Sequence, residues 1–229
     1  MRGKLIGSVV LGAAGLALLV SLGNWQVRRL DWKLGVIDRI ETRMAAAPVA
    51  LPVSPDPEAD AYRAVEVAGR FTGRTLRVQS AMEGFGAGYH LIQALETPAD
   101  GSLLIDRGFV PQGQPLPPAP TGAVTITGNL LWPDEQDGFT PDPDRQAGLF
   151  YARDVPSMAG LLGTRALMVV RRDGPAGGGA LVVAPVGTAG IRNDHRGYAI
   201  TWYSLAAVWL VMSGFLIYRM AKQSKGKAA

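Results

Sequence analysis

Residues 5–22 read LIGSVVLGAAGLALLVSL, eighteen consecutive residues without a charge. At about 1.5 Å per residue a helix of that length covers roughly 27 Å, enough to cross the hydrocarbon core of a bilayer. A cleaved signal peptide is the competing reading. The apolar run is long for one, however, and Gly23–Asn24–Trp25–Gln26 offers no small-x-small cleavage site, so a retained anchor is expected. A second apolar run, Tyr198–Tyr218, has 21 residues and spans roughly 31 Å as a helix. Arg219, Lys222, Lys225 and Lys227 come after it with no acid, which the positive-inside rule assigns to the cytoplasm. Two spans then bring the N-terminus to the same side, in keeping with Arg2 and Lys4. Arg28, Arg29 and Lys33 argue the other way, but about 170 residues separate the spans, and long domains translocate largely regardless of charge.

Apolar residues make up 48% of the 229-residue chain, with the excess at its two ends. There is no cysteine, so no disulfide staples the outer segment and thiolate metal sites are excluded. The net charge of +4 comes partly from the C-terminal tail. No basic stripe is interleaved with aromatic residues, so nucleic acid is not an expected partner.

Between the spans the pattern changes twice. In Trp25–Met44, Leu30, Leu34, Ile37 and Met44 recur at helical spacing while the charges fall mostly on other faces. This predicts an amphipathic helix that continues from the first span or lies just above it. Pro48, Pro52, Pro55 and Pro57 then exclude regular structure from 48–60. From Tyr62 onward the chain reads as short strands: Tyr62–Phe71, Thr75–Ser80 after a Thr72–Gly73 turn, Tyr89–Thr97, Ser102–Val110, Ala123–Trp132, Leu167–Arg172 and Ala180–Val186. Asp100–Gly101 is a hairpin signal, and Asp154 caps a short helix. Pro111–Pro120, with five prolines, is a loop. The expected fold is an α+β membrane protein, with two transmembrane helices flanking an antiparallel β-rich domain, a sheet or small open barrel. Its parts are an N-terminus (1–4), transmembrane helix 1 (5–23), an amphipathic helix and Pro-rich linker (24–61), the β-rich outer domain (62–192), transmembrane helix 2 (193–218) and a basic tail (219–229).

Catalytic signatures are scarce. Gly84–Phe85–Gly86–Ala87–Gly88 precedes a strand rather than a helix, so it offers no helix N-terminus to a phosphate and reads as a turn. No serine sits in Gly-x-Ser-x-Gly. Asp134–Glu135 and Asp142/Asp144 read as solvated loop carboxylates. An enzyme acting on envelope substrates therefore has no sequence sign. His90, inside a predicted strand, reads either as a half-buried structural histidine or as a site residue. His195 has a different setting: Asn193–Asp194–His195–Arg196–Gly197–Tyr198 leads directly into the second span. On a helix, His195, Tyr198, Ala199, Trp202, Ala206, Trp209 and Ser213 share one face, and Ser8, Gly12, Gly15 and Leu19 form a small face on the first span. Two readings stand. The stripe is a packing seam, or it is a slot for a flat, apolar, metal-bearing ligand such as haem. In the second reading His195 is the axial donor, Tyr198 and Trp202 are walls, and Arg192 and Arg196 serve the propionates.

Four blocks carry a resemblance. They are Leu22–Gly23–Asn24–Trp25–Gln26–Val27–Arg28–Arg29–Leu30–Asp31–Trp32–Lys33; Tyr62-Arg63-x-Val65-x-Val67-x-Gly69-x-Phe71; Gly88–Tyr89–His90–Leu91 with Gly101–Ser102–Leu103–Leu104–Ile105–Asp106–Arg107–Gly108–Phe109–Val110–Pro111; and Asn193-x-His195-x-Gly197–Tyr198–Ala199–Ile200–Thr201–Trp202. In that order they resemble the Surfeit locus protein 1 family, membrane assembly factors for cytochrome c oxidase. Two departures stand out. The family usually has Asn-Arg-Gly-Trp where this chain has Asp106–Arg107–Gly108–Phe109, and a family tryptophan is replaced by Phe150 or Tyr151. The resemblance implies a non-enzymatic chaperone of the bacterial inner membrane, with a periplasmic central domain and both termini cytoplasmic. It further implies transient haem a at His195, and oxidase subunit I, haem A synthase and the lipid bilayer as partners. A haem-free scaffold that stabilises a subunit I intermediate is the alternative.

Overall fold

The computed structural model describes residues 2–175 and 177–226, without the side chains of residues 2 and 224–226. Lys227 of the basic tail therefore lies outside the described residues, as do the side chains of Arg2 and Lys225. The chain forms two compact units, one drawn from residues 1–39 and 189–229, the other Ile40–Thr188.

The helical unit rests on two helices, α1 (Arg2–Ala45) and α4 (His195–Gly226). Both are long and apolar enough to cross a membrane. Their most apolar windows are 0% and 6% buried by protein, so these helices are not the core of a soluble domain, and they fit a membrane protein. The amphipathic stretch is the unbroken continuation of the first span, and α1 runs 44 residues. Gly23 and Asn24 do not interrupt it, because Gly23 lies against the Tyr203 ring and Asn24 Oδ1 accepts from the Tyr203 hydroxyl at 2.7 Å. The helix ends just before Pro48, as the steric demand of a proline on the preceding residues requires.

Small residues of α1 receive large ones of α4. A Cβ on Gly15 would lie 2.5–2.6 Å from the Trp209 ring, and one on Gly12 would lie 3.2 Å from Ser213 Cβ. Trp209 Nε1 donates to the Gly12 carbonyl at 2.9 Å. Close approach through small residues is how membrane helices gain packing energy where lipid gives no hydrophobic drive.

The second unit contains β1 (Val49–Ala50), α2 (Pro57–Asp60), β2 (Ala64–Met82), β3 (Gly86–Thr97), β4 (Gly101–Pro111), β5 (Val124–Leu131), β6 (Leu149–Phe150), α3 (Val155–Leu162) and β7 (Met168–Asp173). The sheet runs β2-β3-β4-β7-β5, and β5 pairs back onto β2, so it closes as a small five-stranded barrel. One long strand makes closure possible. The first half of β2 (Ala64–Gly69) pairs with β5, and its second half, from Arg70, pairs with β3. The pairs around the barrel are antiparallel except β4 with β7; β1 and β6 add parallel edges to β2.

All five barrel strands contribute to one apolar cluster: Val65, Val67, Leu95, Leu103, Ile105, Ile126 and Val169 among others. Alternate residues, including Leu76, Val78, Ile92, Leu104, Met168 and Val170, form a second cluster with Val155, Met158 and Ala159 of α3. That two-sided cover explains why Leu103 to Val110 of β4 is buried without alternation. The predicted Asp100–Gly101 hairpin forms, with Thr97 opposite Gly101. So does the predicted helix cap, where the Asp154 side chain accepts from Ser157 N at 3.2 Å.

Three expectations need correction. The Thr72–Gly73 turn is a bulge inside β2, and the Gln93 side chain, donating to the Thr72 and Gly73 carbonyls, takes up acceptors the ladder leaves unpaired. The segment 48–60 holds β1 and α2; Pro57 opens α2 at a position where no backbone donor is needed, and Asp56 caps it. Ala180–Val186 is not a strand. Only Val182 pairs, with Phe109, because Arg171 Nε already occupies the Arg107 carbonyl at 2.7 Å.

Candidate functional site

Two polar sites stand out, one in each unit. In the helical unit His195 is the first residue of α4, and its Nδ1 lies 2.7 Å from Oε1 of Gln26 on α1. Gln26 is 8% exposed, and Trp25 places its ring edge-on to the imidazole at 6.5 Å. An amide oxygen only accepts, so with Oε1 as the partner Nδ1 is the donor, and in the corresponding neutral tautomer Nε2 keeps its lone pair. A neutral imidazole held through its other nitrogen is the arrangement that metal-ligating histidines adopt.

The remaining predicted residues are placed unevenly. Ala199 and Ala206 are buried, and Trp202, Trp209 and Ser213 half-buried, so they make the packing seam. Tyr198 is 54% exposed and lies off that seam, while Tyr203 joins it through Gly23. The Trp209 ring itself fills the space above Gly15, so a ligand held by His195 would lie at the outer end, beside Tyr198 and Trp202. Arg192 and Arg196 are exposed there, and Arg192 Nε donates to Asp194 Oδ2 at 2.7 Å. The residue that sequence reasoning missed is Gln26. It stands in the Trp25–Gln26 pair of the first block, but nothing in the sequence shows that α1 delivers it to the histidine.

The barrel site centres on Asp106, which is fully buried on β4. Its Oδ1 accepts from Gly108 N at 3.0 Å. Its Oδ2 faces His90 Nδ1 at 2.9 Å and Arg153 Nη1 at 3.5 Å, in ion-pair rather than aligned hydrogen-bond geometry. Arg153 also grips Glu135, donating from its backbone N and from Nε at 2.9 Å each. Burial pushes the Glu135 carboxyl up, but the Arg153 hydrogen bonds outweigh it and hold the group below its ordinary range. Next along β4, the buried Arg107 reaches the carbonyls of Pro117 and Pro118 and Oε1 of Gln93, pinning the proline-rich loop. Burial and the neighbouring Arg171 bring its pKa down to about 10. Among the described residues no three His, Asp or Glu side chains are grouped to hold a metal ion. His90 packs its ring edge-on to Phe109 at 5.7 Å, with Nδ1 facing the Asp106 carboxylate.

These features define a class: a membrane-type protein in which two long helices bracket a small closed barrel and present a fixed histidine at a helix mouth. Residues 13–207 match the SURF1 family model. The chain is 30% identical over 224 residues to Surfeit locus protein 1 of Rattus norvegicus, covering 83% of this chain and 69% of that one. It is 29% identical over 215 residues to the Homo sapiens protein of that name, covering 81% and 69%. A SURF1-like protein of Monosiga brevicollis is 30% identical over 221 residues, covering 85% and 82%. The chain belongs to the SURF1 family. None of these names denotes an enzyme.

Proposed function

We propose that the protein is an assembly factor for haem-copper cytochrome c oxidase, which holds haem a transiently and delivers it to subunit I. It acts from the bacterial inner membrane, with the barrel domain periplasmic, both termini cytoplasmic, and haem A synthase as the donor. Family membership supports the assembly role. The observation that carries the haem reading is the His195–Gln26 pair, since it leaves Nε2 as a donor at the mouth of the span. Haem bound there would supply an iron for His195 to ligate. His195 would hold that iron, Tyr198 and Trp202 would wall the ring, and Arg192 and Arg196 would supply cations for its propionates. The cationic ends, with Lys4, Arg219 and Lys222 and no acid near them, support the orientation.

A haem-free scaffold for subunit I is the second reading. It is favoured by the close packing of Trp209 on Gly15 and by the engagement of Arg192 with Asp194. One experiment separates the two. The protein is purified from cells that make haem A, and its Soret band is compared with that of His195→Ala. Haem in the wild type and its loss in the variant is the expected result. An unchanged haem complement overturns the ligand assignment, and no haem in either sample supports the scaffold.

A further inference from the structure

The N-terminal half of α1 and the C-terminal half of α4 do not close on each other completely. A groove of ≈ 580 Å³ runs between them, far from His195 along α4, and lies within the range of roughly 300–1,000 Å³ typical of small-molecule sites. Gly12 opens it on one side, and Leu11, Met212, Phe215 and Leu216 make its walls apolar. Its end is different. Arg219 and Gln223 line it there, with the Arg219 guanidinium 5.8 Å from the Phe215 ring centroid. Lys4 and Lys222 belong to the same ends of the two helices, and no Asp or Glu occurs in residues 1–30 or 195–229.

We propose that this groove is a binding site for one anionic phospholipid, with an acyl chain along Leu11, Met212 and Leu216 and the phosphate at Arg219 and Gln223. The inference rests on the reading of α1 and α4 as membrane spans. Charge selects the occupant. A phosphatidylglycerol headgroup brings a single negative charge to a purely cationic rim, whereas a choline headgroup also brings an ammonium for which the rim holds no carboxylate. A partner's helix seated in the groove would instead cover Arg219 with apolar side chains and leave its charge uncompensated.

The test uses the full chain in detergent, titrated with dioleoyl phosphatidylglycerol or dioleoyl phosphatidylcholine and read by native mass spectrometry. One phosphatidylglycerol retained per chain, at least fivefold more tightly than phosphatidylcholine, is expected. Arg219→Gln should lower phosphatidylglycerol retention about fivefold, and Arg219→Lys, which keeps the charge, should restore most of it. Because residue 219 is exposed, neither substitution disturbs the helix seam. Equal retention of the two lipids, no effect of Arg219→Gln, or a lipid-independent dimer would each overturn the proposal. Carbonate extraction of membranes from expressing cells separates the two levels. A chain released by carbonate removes the spanning reading and the site with it, and a retained chain that binds both lipids equally removes only the site.

Discussion

At His195 the decisive feature is which nitrogen carries the proton. A free imidazole samples both tautomers, and the buried Gln26 oxygen at 2.7 Å selects the one that leaves Nε2 unprotonated. Replacing Gln26 with Leu keeps the helix and much of the volume but removes the acceptor. We expect the ¹⁵N shifts of His195 in the haem-free protein to show Nδ1–H in the wild type and a tautomer mixture in Gln26→Leu. Haem affinity should fall about 10- to 100-fold with it, the usual loss when a metal ligand's outer hydrogen-bond partner is removed. Wild-type shifts that report Nε2–H would mean the glutamine amide presents its NH₂ group instead. Asp106 poses a different problem at the same scale. It is a buried carboxylate facing His90 and Arg153, so Asp106→Ala removes the charge paired with Arg153 and leaves a cavity beside His90. The expected cost is about 3 kcal/mol. Asp106→Asn keeps an acceptor for Gly108 N and should cost less than the alanine change, as thermal melts of the two variants would show. His195 was legible as a candidate because it is one of two histidines and abuts an apolar run. Gln26 and Arg153 were not, because partners that meet only through tertiary packing leave no local pattern.

Among the elements, the strands were legible from alternation and β-branched residues, but their continuity was not. Thr72–Gly73 has the composition of a turn, and only the pairing of both halves of β2 with different neighbours shows why the strand runs on through a bulge. The parallel register of β4 and β7 was equally hidden, since it depends on where the chain returns after α3. Two glycines mark what closure demands. A Cβ on Gly128 of β5 would strike the Val170 carbonyl of β7, and one on Gly88 of β3 would strike the Val110 carbonyl of β4. Gly113 has a positive φ of 84° but open space around it. Gly128→Ala should therefore destabilise the barrel by about 2 kcal/mol or more through backbone overlap. Gly113→Ala should lose only about 1 kcal/mol from the left-handed backbone. Urea titrations that rank the two in the opposite order would contradict this account of the seam. The Arg153–Glu135 clamp adds a pH dependence. Glu135 titrates lower in the folded than in the unfolded protein, so its contribution is fully present above about pH 4.5, the unfolded value, and is lost as pH falls through the depressed folded value. Acid titration of Glu135→Gln should show a shallower loss of stability below pH 4.5 than the wild type.

For the molecule as a whole, the two ends of the chain make one unit and the middle makes another, and the sequence already separated them. The apolar excess sits in the two helices long and apolar enough to cross a membrane, and the strand-forming residues sit between. The border was harder to read. The Pro-rich stretch looked like the natural boundary, yet the barrel unit begins earlier, at Ile40, inside the last turns of α1. The physical reason is the end of that helix. The Met44 carbonyl accepts from Arg172 Nη1 at 2.6 Å and from Asn129 Nδ2 at 3.4 Å, so the barrel uses the helix terminus as a hydrogen-bonding partner. The barrel has its own closed ladder and its own apolar cluster, which predicts that a fragment of residues 40–188 folds cooperatively without detergent, with near-ultraviolet circular dichroism and a single thermal transition. A fragment starting at residue 47 keeps every barrel strand but loses the Met44 acceptor for Arg172 and for one of the two Asn129 Nδ2 bonds, the other running to the Tyr62 carbonyl. Its stability should fall by about 1–3 kcal/mol, the cost of leaving such donors unsatisfied. Equal melting of the two fragments would show that those donors find water or other acceptors, and would move the border back to the prolines where composition first placed it.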